Sequence, residues 1–208
     1  MRQKAKGVLT FSAKLKLSVI EEPLMTIRVL ALCGSLRAKS TNRGLVRYAQ
    51  AHAPAGMKIH VADLLDVPFY NADLAAKPAA VDTLLQEFAA ADALLLACPE
   101  YNYSLAPALK NALDWASREP DNYLLRGKAV AIMGAAGGMG SSRAQYHLRQ
   151  VCVYLDLHPL NKPEVFANAF SGAFDHDGDL IDDKIQENVR LLLLALADWH
   201  RLLRGGRG

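Results

Sequence analysis

The sequence predicts a doubly wound α/β domain, a parallel sheet with helices packed on both of its faces. Short apolar runs recur along the chain, and between them lie longer segments whose apolar residues fall at helical spacing. The two patterns alternate five times from Ile27 onward. Such alternation implies right-handed crossovers between parallel strands, because a strand followed by a helix must return on the same side of the sheet.

The runs, in order, are IRVLALC (27–33), KIHVADL (58–64), DALLLAC (92–98) and KAVAIMG (128–134). Most are too continuously apolar for half-exposed strands and suit strands covered on both faces. After the first run, residues 41–52 read as a helix capped by Ser40 or Thr41 and weakened by Gly44. Val81, Leu84, Leu85 and Phe88 form the apolar stripe of the next helix, and Leu105, Leu109, Ala112, Leu113 and Ala116 form another. Ala144, Leu148, Val151, Cys152 and Leu155 give a third stripe. A long C-terminal one runs through Ile181, Ile185, Val189, Leu192, Leu193, Leu196 and Trp199. A fifth strand is expected between Leu157 and Phe166, with Pro159 and Pro163 blurring its limits.

Composition narrows the function classes. The chain has 208 residues, 51% hydrophobic and 22% charged, which suits one soluble globular domain with a sizeable core. Its net charge of +3 sits in the tails: residues 1–24 carry five Lys/Arg against two Glu, and Arg201, Arg204 and Arg207 end the chain without an acid. The body between them holds 16 basic and 19 acidic residues, contrary to the concentrated positive charge of a nucleic-acid binder. No apolar run reaches the roughly 20 residues of a membrane span. Residues 1–24 are expected to be an extension outside the domain. Lys14 and Lys16 interrupt any secretory core there, although the lack of acids before Glu21 is a trait of transit peptides. The domain is expected over 25–204, with 205–208 as a tail. Cys33, Cys98 and Cys152 lack metal-ligand spacing and read as reduced, mostly buried thiols of a cytoplasmic protein. Asp175, Asp177, Asp179, Asp182 and Asp183 lack the glycine and glutamate positions of a calcium loop, and read as a polar turn leading into an acidic first helical turn.

In a doubly wound sheet, ligands bind beyond the carboxyl ends of the strands, which directs attention to three loops. GSLRAKSTN (34–42) offers what a phosphate requires: helix-start N–H groups, the hydroxyls of Ser35, Ser40 and Thr41, and the two-pronged charge of Arg37. An ordinary capped turn would look similar. The Walker spacing is absent, and the five residues after Cys33 lead to Lys39 rather than to the arginine of a thiolate phosphatase. PEYNYSLAPALKNALDW (99–115) brings two tyrosines and an asparagine before Pro107, a residue favoured at the first helical position. Such a mixture suits a planar heteroaromatic ligand, or simply covers the core. GAAGGMGSS (134–142) permits close backbone approach to a flat ligand but is not a clean dinucleotide fingerprint.

Taken together, Gly34-Ser35-Leu36-Arg37 with Ser40 and Asn42, then Pro99-Glu100-Tyr101-Asn102-Tyr103 with Lys110-Asn111-Ala112 and Asp114-Trp115, resemble the NADPH-dependent FMN reductases. That family includes NAD(P)H:quinone and chromate reductases. The resemblance extends from Thr26 to Leu203 and implies a flavodoxin-like sheet of five parallel strands in the order 2-1-3-4-5. It implies that Ser35, Arg37, Ser40, Thr41 and Asn42 hold the FMN phosphate. Pro99, Glu100, Tyr101, Asn102 and Tyr103 would line the isoalloxazine, and Gly137 and Gly138 would flank it. It further implies a homodimer or homotetramer, with Arg143, Tyr146 and Glu164 as candidates for a hydrogen-bonded cluster between subunits.

The expected activity is ping-pong: NAD(P)H passes hydride to N5 of FMN and leaves, and a quinone, chromate, ferric, azo or flavin acceptor takes its place. No catalytic side chain is required. The alternatives are a flavodoxin-like electron carrier and a non-catalytic binding module. A body charge near −3 favours the enzyme, because carriers tend to be strongly acidic.

Overall fold

A computed structural model describes residues 26–205. The expected N-terminal extension and residues 206–208 lie outside the described residues. The chain begins β1 (Ile27–Cys33), α1 (Thr41–Ala51), β2 (Met57–Val61), α2 (Ala79–Ala90) and β3 (Ala93–Ala97). A short antiparallel hairpin, β4 (Glu100–Tyr101) and β5 (Ser104–Leu105), precedes α3 (Pro107–Ala116), β6 (Ala129–Ala136) and α4 (Ser142–Tyr154). The chain continues through β7 (His158–Pro159) and β8 (Val165–Asn168) to α5 (Asp183–Gly205).

The main sheet is parallel throughout, in the order β2-β1-β3-β6-β7, which is the expected flavodoxin-like order. Its last position is shared. β7 pairs with Ala129 and Val130, whereas β8 pairs with Met133 to Ala136 further along the same strand. The expected fifth strand is therefore two pieces. The prolines account for this, because neither Pro159 nor Pro163 can donate a ladder hydrogen bond.

Side-chain alternation divides the core into two layers. Val29, Ala31, Leu95 and Met133 pack beneath α1 and α5, while Leu30, Leu32, Leu94, Leu96 and Ile132 pack against α2, α3 and α4. β1, β3 and β6 are covered on both faces as expected. β2 is not: Lys58 and His60 are exposed, because it is the edge strand and meets a neighbour on one side only. Leu105 belongs to β5 rather than to the α3 stripe, and Ile181 lies exposed ahead of α5. No helix among the described residues is long and apolar enough to cross a membrane.

Helices α1 and α3 start near the carboxyl edge of the sheet. Ser40 caps α1 from extended backbone, its hydroxyl accepting from Arg43 N at 3.4 Å. Pro107 opens α3, as its fixed φ favours. The acidic segment 175–179 is a tight turn in which Asp175 accepts from Asp177 N and Asp179 N, and Asp182 accepts from Ile185 N at the start of α5.

Candidate active site

β1, β3 and β6 are adjacent and parallel, so the loops that leave them meet at one sheet edge. The first loop is anchored at Gly34, whose N–H donates to Ala97 O at 2.9 Å. A Cβ at Gly34 would lie 2.9 Å from Pro99 Cδ and 3.1 Å from Ala106 Cβ. Glycine here lets the second loop lie directly on the first.

Ser35 and Ser40 are buried and Thr41 is half-buried around the start of α1. Of the first N–H groups of that helix, that of Arg43 donates to Ser40 Oγ, whereas those of Thr41 and Asn42 have no backbone acceptor one turn back. Lys39 and Arg47 are paired with Asp177 at 2.7 Å and Asp179 at 2.5 Å. Arg37 is exposed and makes no ion pair among the described residues. It is the cation of this loop left to meet an anion.

Asn42 is placed differently from a phosphate ligand. Its Nδ2 donates to Ala135 O at 2.8 Å and its Oδ1 accepts from Ala135 N at 3.0 Å, with the residue 3% exposed. The side chain ties α1 to β6, so what Asn42 offers the loop is its backbone N–H.

The hairpin after β3 turns through Asn102 (φ 49°) and Tyr103 (φ 68°), two consecutive left-handed residues, neither of them glycine. That geometry suits a two-residue hairpin turn but strains a tyrosine. The hairpin is held against α4 at three points. Glu100, its side chain only 6% exposed, accepts from Arg143 Nε at 2.7 Å and from Ala144 N at 3.4 Å. The Arg143 guanidinium lies 3.7 Å from the centroid of the Tyr103 ring, and Ser104 Oγ is 3.1 Å from His147 Nδ1. Glu100 therefore faces α4, while Tyr101, Asn102 and Tyr103 are exposed at the edge. Within the chain, Arg143 is taken by Glu100, Glu164 pairs with Lys162, and Tyr146 stands 58% exposed, so the three do not form one cluster in a single subunit.

The glycines of the third loop divide into two kinds. A Cβ at Gly134 would collide with Cys98 O at 2.4 Å and Ser141 Oγ at 2.2 Å, and one at Gly140 would meet Phe166 backbone at 2.6 Å. These two serve packing. Gly138 has nothing within 4 Å of a would-be Cβ, and Gly137 meets only Phe170 at 3.9 Å. That pair borders open space.

The three thiols are poor nucleophiles. Burial pushes Cys33 above its ordinary range despite nearby Arg43 and Arg47, and pushes Cys98 and Cys152 up to about 12. The thiolate phosphatase reading loses its nucleophile.

The second apolar run ends its strand at Val61, and residues 65–70 beyond it show no periodic pattern. Their signal lay in α3. Asn111 Oδ1 accepts from Tyr70 N at 2.8 Å, Asn111 Nδ2 donates to Pro68 O at 2.9 Å, and Trp115 Nε1 donates to the same carbonyl at 2.8 Å. The Lys-Asn and Asp-Trp pairs of that helix thus hold a loop beside the site. Between this loop, Leu36 and Tyr101 lies a mainly apolar cleft of about 410 Å³.

The model of the NADPH-dependent FMN reductase family matches residues 27–172. An NAD(P)H-dependent FMN reductase of Pseudomonas aeruginosa is 51% identical over 182 residues, covering 86% of this chain and 98% of that protein. An NAD(P)H:quinone oxidoreductase of Solanum tuberosum is 46% identical over 187 residues, covering 86% and 95%. Among solved structures, the flavoenzyme NAD(P)H:(acceptor) oxidoreductase of Paracoccus denitrificans superposes with a TM-score of 0.76 at 31% identity, covering 84% of this chain and 97% of that one.

Proposed function

The chain belongs to the NADPH-dependent FMN reductase family, and from that premise we propose that the three loops at the sheet edge form its FMN site. The protein is an FMN-dependent NAD(P)H oxidoreductase that acts on a small-molecule acceptor. The residues present fit the cofactor. A free arginine beside the buried hydroxyls and open N–H groups of a helix start suits a phosphate monoester, and Gly137 and Gly138 leave room for a planar ring.

In this reading, Arg37, Ser35, Ser40, Thr41 and the backbone of Asn42 bind the phosphate. Pro99 to Tyr103 line the ring, Glu100 through its backbone only. When bound, FMN supplies two-electron chemistry between NAD(P)H and the acceptor. The protein positions and shelters. The hairpin pinned by Glu100 and Arg143 would hold its backbone N–H groups in place beside the bound cofactor, where donors stabilise negative charge without reorganising. Quinones are the acceptor class supported by the names of the relatives. The domain is read as 25–204.

The observation that carries this reading is the convergence of a free Arg37 and an open helix start with the strained hairpin on one edge. The experiment is a visible spectrum of the purified protein with added NADPH under anaerobic conditions. A flavin band that NADPH bleaches supports the reading. No band together with no uptake of FMN overturns it.

The same reading makes the protein a homo-oligomer. Tyr146, Val153 and Tyr154 stand 58%, 78% and 80% exposed along α4, the helix that holds the hairpin at its N-terminal end, and a second copy would cover this apolar stripe. Sedimentation at micromolar concentration that finds only a 22.7 kDa species rejects this part.

A further inference from the structure

We propose that the cleft beside the phosphate loop is a separate subsite for the apolar side chain of a substituted quinone. The inference rests on the FMN reading above, since it is an acceptor bound at that site whose side chain is placed here.

An exposed apolar rim beside the cleft stands on an anchored segment. Phe69 is 76% exposed and Leu65 60% exposed, on a segment whose neighbours are fixed. Pro68 O accepts from both Asn111 and Trp115, and Tyr70 N donates to Asn111. The Tyr70 ring meets Trp115 edge-on at 5.0 Å, and the Arg118 guanidinium lies 5.5 Å from the centroid of that ring. The backbone on both sides of Phe69 is thus tied to α3, which fixes the position from which its exposed phenyl group projects. Holding apolar surface in solvent is unfavourable, and a fixed concave surface of this kind fits a ligand that covers it.

The shape and chemistry of the cleft choose among acceptors. Leu36, Leu65, Val67, Phe69, Tyr101 and Pro107 supply its walls, and its volume of about 410 Å³ accepts several carbons beyond a single ring. Of its polar members, Asn111 is fully engaged with the loop, and Arg37 stands at the end shared with the proposed phosphate site. Beyond Arg37, no side chain of the walls carries a positive charge to pair with an oxyanion such as chromate. An alkyl or prenyl chain would exchange water for apolar contact along the whole cleft. Tyr101 belongs both to the cleft and to the hairpin lining the ring site, so a chain here can be continuous with a head group there.

The test compares decylubiquinone with its tail-less parent quinone in the holoenzyme carrying Phe69→Ser and, separately, Leu65→Ser. Both side chains are exposed, so folding should survive. KM for decylubiquinone should rise about tenfold in each variant, while KM for the tail-less quinone and the rate of flavin bleaching by NADPH stay unchanged. A second readout needs no turnover: decylubiquinone should quench the tryptophan fluorescence of the oxidised parent protein at lower concentration than in the variants. Equal changes for both quinones, or none for either, overturn the subsite. So does a variant whose sedimentation falls to a smaller species with both KM values unchanged, since the rim would then be a subunit contact. Failure of NADPH to bleach any flavin in the parent protein would instead strike the FMN reading itself.

Discussion

Asn42 and Ala135, 93 residues apart, pair like two strands through one side chain: the amide donates to the Ala135 carbonyl at 2.8 Å and accepts its N–H at 3.0 Å. Both residues are buried, so neither backbone group can turn to water. The link fixes the start of α1 to the end of β6, which sets the distance between the first and third loops. Asn42→Ala should destabilise the protein by about 2–3 kcal/mol in urea titration, since it leaves two buried backbone groups unpaired. Asn42→Asp should fare little better, because a carboxylate would face the Ala135 carbonyl. A loss below about half a kcal/mol for the alanine variant would show that water replaces the amide.

Arg37 is expected to act on the ligand and not on the fold. It is exposed and touches no acid among the described residues, so Arg37→Ala should leave the urea midpoint unchanged. FMN binding should weaken by about 1.5–3 kcal/mol, the range for a charge-assisted hydrogen bond, which is roughly 10- to 150-fold in Kd. Fluorescence titration of FMN into the apoprotein measures it. An unchanged Kd would remove Arg37 from the phosphate site.

How much of this was legible depends on whether the cause was local. The runs through β1, β3 and β6 mark strands buried on both faces, and each loop carries its own composition, so the sheet and its functional edge could be read directly. Partners distant in sequence could not. The amide of Asn42 has the chemistry of a phosphate ligand, and only the fold reveals Ala135 on its other side. Glu100 likewise sits among ring-lining residues while its carboxylate belongs to α4. The break between β7 and β8 could be suspected from two prolines but not located. Residues 65–70 had no periodicity because they form no element, and their order comes from Asn111 and Trp115 some forty residues away.

Gly44 illustrates the same limit and makes a sharp prediction. In isolation it only weakens α1, and replacing it by alanine would favour a free helix by about 1 kcal/mol. In the fold, a Cβ there would lie 1.8 Å from Gly178 O and 2.9 Å from Gly178 C, both backbone atoms. Gly178 itself has φ 80° and would clash with Lys39 O if it carried a side chain, so the turn cannot give way easily. Gly44→Ala should therefore destabilise by about 2–3 kcal/mol net, despite its helix propensity. It should also free the pairs Lys39–Asp177 and Arg47–Asp179, opening the outer wall of the phosphate loop. Thermal unfolding of the apoprotein checks the first effect. A variant as stable as the parent would mean that the 175–180 turn is not packed on α1.

Lys128 predicts a pH dependence at the opposite edge of the sheet. Burial lowers its amine to about 8, against the pull of Asp92, and its Nζ donates to Phe88 O at the end of α2. Asp92 is itself bound by Arg28 at 3.0 Å, which limits the compensation it can give. The folded pKa lies below the ordinary 10.5, so between about 8 and 10.5 the unfolded chain holds more protons than the folded one. Stability contributed by this group must then rise with pH across that window. Below pH 8 both states are protonated and the burial cost is fully present; above 10.5 both are neutral and it is gone. Lys128→Met removes the cost together with the bond to Phe88. The variant should therefore gain about 1 kcal/mol over the parent at pH 7, a figure kept small because the amine is partly solvated. That advantage should shrink toward pH 10.5 and end as a deficit once the parent amine is neutral and still hydrogen-bonded. Urea titrations of both proteins at pH 7 and pH 10 give the difference directly, with the other titrating groups common to the two. Parallel pH profiles would show that Lys128 is solvated in the folded protein and pairs with water instead of the α2 carbonyl.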